Sequence, residues 1–171
     1  MRHWVALGAA ALVLAGCARD GRPDLPDAPV AIEGDSIRYE TGPCFGVCPV
    51  YVVTLRPDGT GIFEGKRFTA ATGTREFKLS RSEYEAFAAK LAPYRPKSGT
   101  ARYTPDNKAL CRSAATDLPS ADITWTRAIG DSQSLAFYFG CDMDDNQDMA
   151  EAIGSAPETV RALEALIGER P

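Results

Sequence analysis

The sequence predicts an α+β fold: an antiparallel β-sheet built of a meander and hairpins, with two or three helices packed on one face. Three observations carry this. Segments that alternate apolar and polar residues, or are β-branched throughout, occupy the first half of the chain and return after a helical stretch. Turn signals, Asp58-Gly59 first among them, separate the early segments at hairpin spacing. Two segments place apolar residues at helical spacing behind a Ser-x-x-Glu start. Strands, helix, strands, helix is the order expected when helices gather on one side of an antiparallel sheet.

Each element has its own reason. Residues 36–40 read as a first strand. Residues 50–55, VYVVTL, are apolar on both faces, as a central strand requires. Arg56-Pro57-Asp58-Gly59 turns the chain, residues 61–64 return as the hairpin partner, and 67–70 are expected to continue it. Residues 71–74 form the next turn and 75–79 a short strand. Ser80 and Glu83 form a capping box, followed by an apolar stripe of Tyr84, Phe87, Ala88 and Leu91, with Pro93 as the stop. Residues 94–108 hold Pro96, Gly99 and Pro105 and read as a loop. Asp122 to Thr126 alternates with Ile123 and Trp125 inward, Gly130-Asp131 is a turn, and 133–139 is a second buried strand. Ser155 and Glu158 repeat the capping box before a last helix with Val160, Leu163, Leu166 and Ile167 on its apolar face. No internal repeat is visible.

The chain start carries an address. Arg2 and His3 precede an apolar run of about a dozen residues, shorter than the roughly 20 a membrane span needs. The run fits the apolar region of a secretory signal. Leu14-Ala15-Gly16-Cys17 resembles the lipobox of bacterial lipoproteins. That resemblance implies acylation of the Cys17 thiol, cleavage before Cys17, and acylation of the new amino terminus. Together the acyl chains anchor stably, where a single one would not. Ala18, not aspartate, follows the cysteine, which under the enteric sorting rule directs the protein to the outer membrane, facing the periplasm. Residues 18–33 carry Pro23, Pro26 and Pro29 with charges and little apolar content, the composition of a disordered tether. The expected organisation is a signal peptide over 1–16, a lipidated cysteine and tether over 17–33, and a single α+β domain over 34–171.

Composition excludes several classes. The 171 residues suit one domain, and 44% hydrophobic content supplies a core. Lys and Arg total 19 against 23 acidic residues; loss of Arg2 with the signal leaves 18. A mildly acidic chain does not read as a nucleic-acid binder. The single histidine, His3, leaves with the signal. The mature chain therefore has no Ser-His-Asp or Cys-His mechanism and no imidazole for a metal. No catalytic residue, cofactor or metal is assigned.

Four cysteines remain: Cys44, Cys48, Cys111 and Cys141. An even number in an exported chain predicts disulfides, and four allow three pairings. The preferred set is Cys44–Cys48 with Cys111–Cys141. The second bond closes a long loop, worth roughly 3–4 kcal/mol by loop entropy. The first carries a geometric condition. Cysteines four apart on an extended strand lie about 13 Å apart, beyond the ~7 Å a disulfide bridges. The chain must turn, and Gly46 between Pro43 and Pro49 permits it. The crossed pairings stay open. Cys-x-x-x-Cys-Pro also resembles the copper site of Sco-type periplasmic chaperones and, faintly, thiol–disulfide active sites. Sco-type sites need a histidine and precede a helix; here there is no histidine, and a β segment follows at once. Two thiolates still suit Cu(I), although no cation in the loop lowers a thiol pKa.

The stretch IRYETGPCFGVCPVY, residues 37–51, resembles DUF6438, a bacterial domain family of unknown function whose members carry C-F-G-x-C-P-x-Y near the domain start. Pro57-Asp58-Gly59, the Ser80–Leu91 helix and Thr116-Asp117-Leu118-Pro119 extend the resemblance over roughly residues 35–168. It implies the fold and, since many members look like lipoproteins, the address; it implies no activity. Cys111 and Cys141 look like additions to the usual pattern, which supports pairing them with each other. Phe45, Gly46, Pro49 and Tyr51 of the motif are candidate binding residues.

Other patterns are weaker. Asp142 to Asp148 begins like a calcium loop but has Gln147 and Ile153 where glycine and glutamate belong, so a solvated acidic loop is expected. Gly59, Gly61 and Gly65 read as hairpin glycines. Lys66, Arg67, Arg75, Lys78 and Arg81 make a locally basic stretch, a solvated face or a contact for anionic lipid or cell-wall polymer. Paired carboxylates are not readable without strand pairing. The expectation is a non-enzymatic, membrane-tethered binding or envelope-accessory module that meets an envelope protein or cell-wall partner through a sheet surface or the turn around Phe45. The alternative is a thiol redox or Cu(I)-handling protein using Cys44 and Cys48.

Overall fold

The computed structural model describes residues 34–127 and 132–169. The signal segment, Cys17, the tether and the Gly130-Asp131 turn lie outside the described residues. Among the described residues seven strands, β1 (Ser36–Thr41), β2 (Val50–Leu55), β3 (Thr60–Arg67), β4 (Gly73–Lys78), β5 (Thr100–Tyr103), β6 (Ser120–Thr126) and β7 (Ser132–Tyr138), form one sheet in the order β4-β3-β2-β1-β6-β7-β5. Every pairing is antiparallel except β5 with β7, which is parallel. Three α-helices among the described residues, α1 (Arg81–Leu91), α2 (Gln147–Ser155) and α3 (Arg161–Ile167), complete the α+β fold.

Alternation builds the core. Register puts Tyr39 beside Val53 and Ile123, and Ile37 beside Leu55 and Trp125, all facing one way and all buried. Helix residues Phe87, Leu91, Ile153, Leu163 and Ile167 join the same cluster, so the helices share this face. Tyr39 ties the layers, packing edge-on to Phe87 and donating its hydroxyl to the Ile153 carbonyl at 3.1 Å. Full burial of each side chain of this size is worth about 1.5–3 kcal/mol. The other face is open and polar, with Arg38, Glu40, Thr54 and Thr124.

The capping box at α1 forms as expected. The Glu83 amide donates to Ser80 Oγ at 3.2 Å, and the Ser80 amide to Glu83 Oε2 at 2.7 Å. The second oxygen of Glu83 accepts from the Arg161 amide at 3.2 Å, the first residue of α3. One carboxylate thus serves two helix starts. These bonds, led by the Ser80 amide, lower the Glu83 pKa to about 2.

Five expectations are corrected. Residues 67–70 do not extend the β3 strand; it ends at Arg67, because Phe68 takes a positive φ of 54° and starts the turn. Gly73 already belongs to β4. Residues 94–108 are not all loop: 100–103 form β5, a four-residue edge strand whose pairing with β7 supplies its structure. The acidic segment is a turn that runs into α2 at Gln147, so Asp148 is helical. The second capping box does not form. Ser155 ends α2 with its hydroxyl donated back to the Glu151 carbonyl, and Glu158 sits in a 3-10 turn over 156–159.

Candidate functional site

The β1–β2 connection, residues 42–49, holds the motif. Thr41 closes its base: the hydroxyl donates to the Pro49 carbonyl at 2.8 Å and accepts from the Tyr51 amide at 3.0 Å. One side of the loop is strapped to the segment before β6. Gly42 donates to the Ser120 carbonyl at 2.8 Å, and Phe45 to the Asp117 carbonyl at 3.1 Å. A Cβ at residue 42 would fall 2.2 Å from Ser120 Oγ, so glycine allows this approach. The strap is itself held, since the Leu118 amide donates to the Tyr138 hydroxyl, which donates in turn to the Ala115 carbonyl.

The turn that the Cys44–Cys48 bond requires is present. Their Cα atoms stand 5.8 Å apart, and Gly46 between them has φ 141°, where a side chain would be strained. The bond bends the loop outward. Phe45 is 88% exposed and Val47 51%. Exposed Phe68 lies on the neighbouring turn, because β2 residue Val50 pairs with Arg67 at the same end of the sheet. The Arg67 guanidinium covers the Phe68 ring at 5.0 Å. Phe45, Gly46 and the half-buried Pro49 therefore share one surface. Tyr51 does not: it is 4% exposed, its ring stacked between Tyr39 and Phe63, and it is a core residue. Strand alternation explains the difference, for Tyr51 is already inside β2 and faces the helices.

Cys111 and Cys141 are bonded to each other and wholly buried. Around them residues 113–115 pair with 140–142 through backbone bonds, Ala115 to Gly140 and Asp142 to Ser113, each at 2.9 Å. Asp142 accepts both the Arg112 and Ser113 amides at 2.8 Å, which holds its carboxyl below its ordinary value. The acidic segment is thus tied to the disulfide at its start, through Asp142. Among the described residues no group of three or more His, Cys, Asp or Glu is placed to hold a metal ion.

Register reveals a carboxylate pair hidden from the sequence. Glu40 on β1 lies directly opposite Asp122 on β6, on the open face. Burial works to raise the Glu40 pKa, but bonds from Lys66 and Arg38 outweigh it and lower the value. Partial desolvation, then the charge of Glu40, pushes Asp122 up. The strand pairing that makes them neighbours joins residues 82 apart in the chain, so no local pattern announces it.

A family model for a domain of unknown function, DUF6438, matches residues 35–160. The chain belongs to the DUF6438 family. The DUF6438 match begins one residue before β1 and ends at the residue before α3, so it takes in the clasped loop and both disulfides. No curated protein matches the chain.

Proposed function

We propose that this DUF6438 protein is a non-enzymatic binding or envelope-accessory module, tethered to the membrane as a periplasmic, outer-membrane lipoprotein through Cys17. In this reading residues 1–16 are removed, 17–33 are the tether and 34–171 the working domain. The lipobox and the apolar run before it support the address. The contact is the clasped loop, and the observation that carries it is Phe45. A phenylalanine 88% exposed on a braced, disulfide-bent loop contributes nothing to the core. Aromatic side chains held this way are typical anchors of protein contacts. The partner is an envelope protein or cell-wall component.

The test is capture from an envelope extract by the anchored full chain, comparing the parent with Phe45→Ser and with Leu110→Ser, a control at another exposed apolar residue. The expected result is a discrete partner retained by the parent and the control and lost with Phe45→Ser. An identical set on all three proteins refutes the loop as the contact.

A further inference from the structure

Strand polarity sorts the surface charges to two ends of the domain. β1 runs from the end where the described chain begins, at Gly34, to the end that carries the Phe45 loop, about 20 Å away for six residues. At the Gly34 end lie the β2–β3 turn, the β4–α1 junction, the close of β6 and the approach to β5. These bring together Arg56, Lys78, Arg81, Arg95, Lys97, Arg127 and Arg161, against Asp35, Asp58, Glu83 and Glu85. Arg95 and Arg127 both face Asp35, and Arg81 pairs with Glu85. Glu76 stands two residues further up β4. The excess is positive, in a chain of net charge −4. The opposite end carries Glu40, Asp106, Asp117, Asp122, Asp142, Asp144 and Asp145 against Lys66, Arg67, Arg102, Lys108 and Arg112, so the balance there is acidic. The basic stretch expected from the sequence is therefore divided, with Lys66 and Arg67 at the loop end and Lys78 and Arg81 at the Gly34 end. Arg56 and Arg127 line one concavity with Gly34 itself.

We propose that the Gly34 end of the domain docks on anionic lipid headgroups through Arg56, Lys78, Lys97 and Arg127, which turns the Phe45 loop away from the membrane. The inference rests on the tethered reading, because Gly34 is where the chain coming from Cys17 joins the domain. A domain of acidic net charge held near an anionic surface is repelled in most orientations and attracted only when its basic end faces the lipid. Cations act there within a Debye length of about 10 Å at 0.1 M salt, and several basic groups together attract appreciably.

The native lysines read the orientation. The full anchored chain is placed on neutral phosphatidylcholine vesicles or on vesicles containing phosphatidylglycerol, then modified with a membrane-impermeant amine reagent and mapped by peptide mass. The expected result is labelling of Lys78 and Lys97 lowered about three-fold or more by phosphatidylglycerol and restored by roughly 1 M salt, with Lys108 unchanged. Arg56→Ser with Arg127→Ser should weaken that protection. Equal labelling of Lys78 and Lys97 on both vesicle types overturns the proposal. So does protection by a soluble anionic cell-wall polymer as strong as that by the lipid. Sedimentation with neutral vesicles reads the tether separately. A chain that does not sediment there but is protected at Lys78 and Lys97 on anionic vesicles lacks the anchor yet keeps the docking surface.

Discussion

The two disulfides are the same bond in opposite settings. Cys111–Cys141 joins residues 30 apart, is fully buried, and sits inside a short backbone ladder tied by Asp142. Cys44–Cys48 joins residues four apart, is partly exposed, and bends a loop whose central aromatic faces solvent. The first removes much unfolded-chain entropy and shields the end of β7. The second removes little and fixes the shape of a surface. A cysteine count cannot separate these roles; loop length and burial do.

Removing each bond should expose that difference. Cys111→Ala with Cys141→Ala should cost about 3–4 kcal/mol, read as a lower denaturation midpoint of the full chain. Cys44→Ser with Cys48→Ser should cost less, about 2 kcal/mol for so short a loop. The circular dichroism of the folded state should stay unchanged while partner capture falls. An equal loss from both pairs breaks the comparison.

Smaller effects sharpen it. Glu83→Gln should destabilise by about 1 kcal/mol, the size of a lost helix cap. Its pH dependence follows from the lowered value. With a folded pKa of about 2 against an ordinary 4.5, the carboxylate's contribution is fully present above pH 4.5 and is lost as pH falls towards 2. Urea midpoints of parent and variant should therefore converge between those values. Phe45→Ser should leave stability within about 0.5 kcal/mol of the parent, because nothing in the core touches its ring.

Local chemistry was legible, and distant pairing was not. The α1 capping box, the alternation at Ile123 and Trp125 and the Asp58-Gly59 turn are all short-range signals, and all form. The turn at Gly46 was required by the distance two bonded cysteines can span, and it exists. β5 carries no local signal, because four residues at an edge draw their order from β7. The Ser155–Glu158 pattern caps no helix, and Glu83, 78 residues from Arg161, serves the start of α3 instead. The motif groups Tyr51 with Phe45, but its place one residue into β2 sends it to the core. The Glu40–Asp122 pair and the two charged ends depend on register and strand direction, which no single segment encodes.

The central claim is that the Phe45 loop presents a contact surface. The most direct measurement is photo-crosslinking in cells, with a photoreactive phenylalanine analogue at position 45 or, for comparison, at Met143, another exposed apolar residue on the acidic turn. The account predicts a discrete adduct from position 45 and none from position 143. No adduct from position 45, or the same adducts from both, would contradict it.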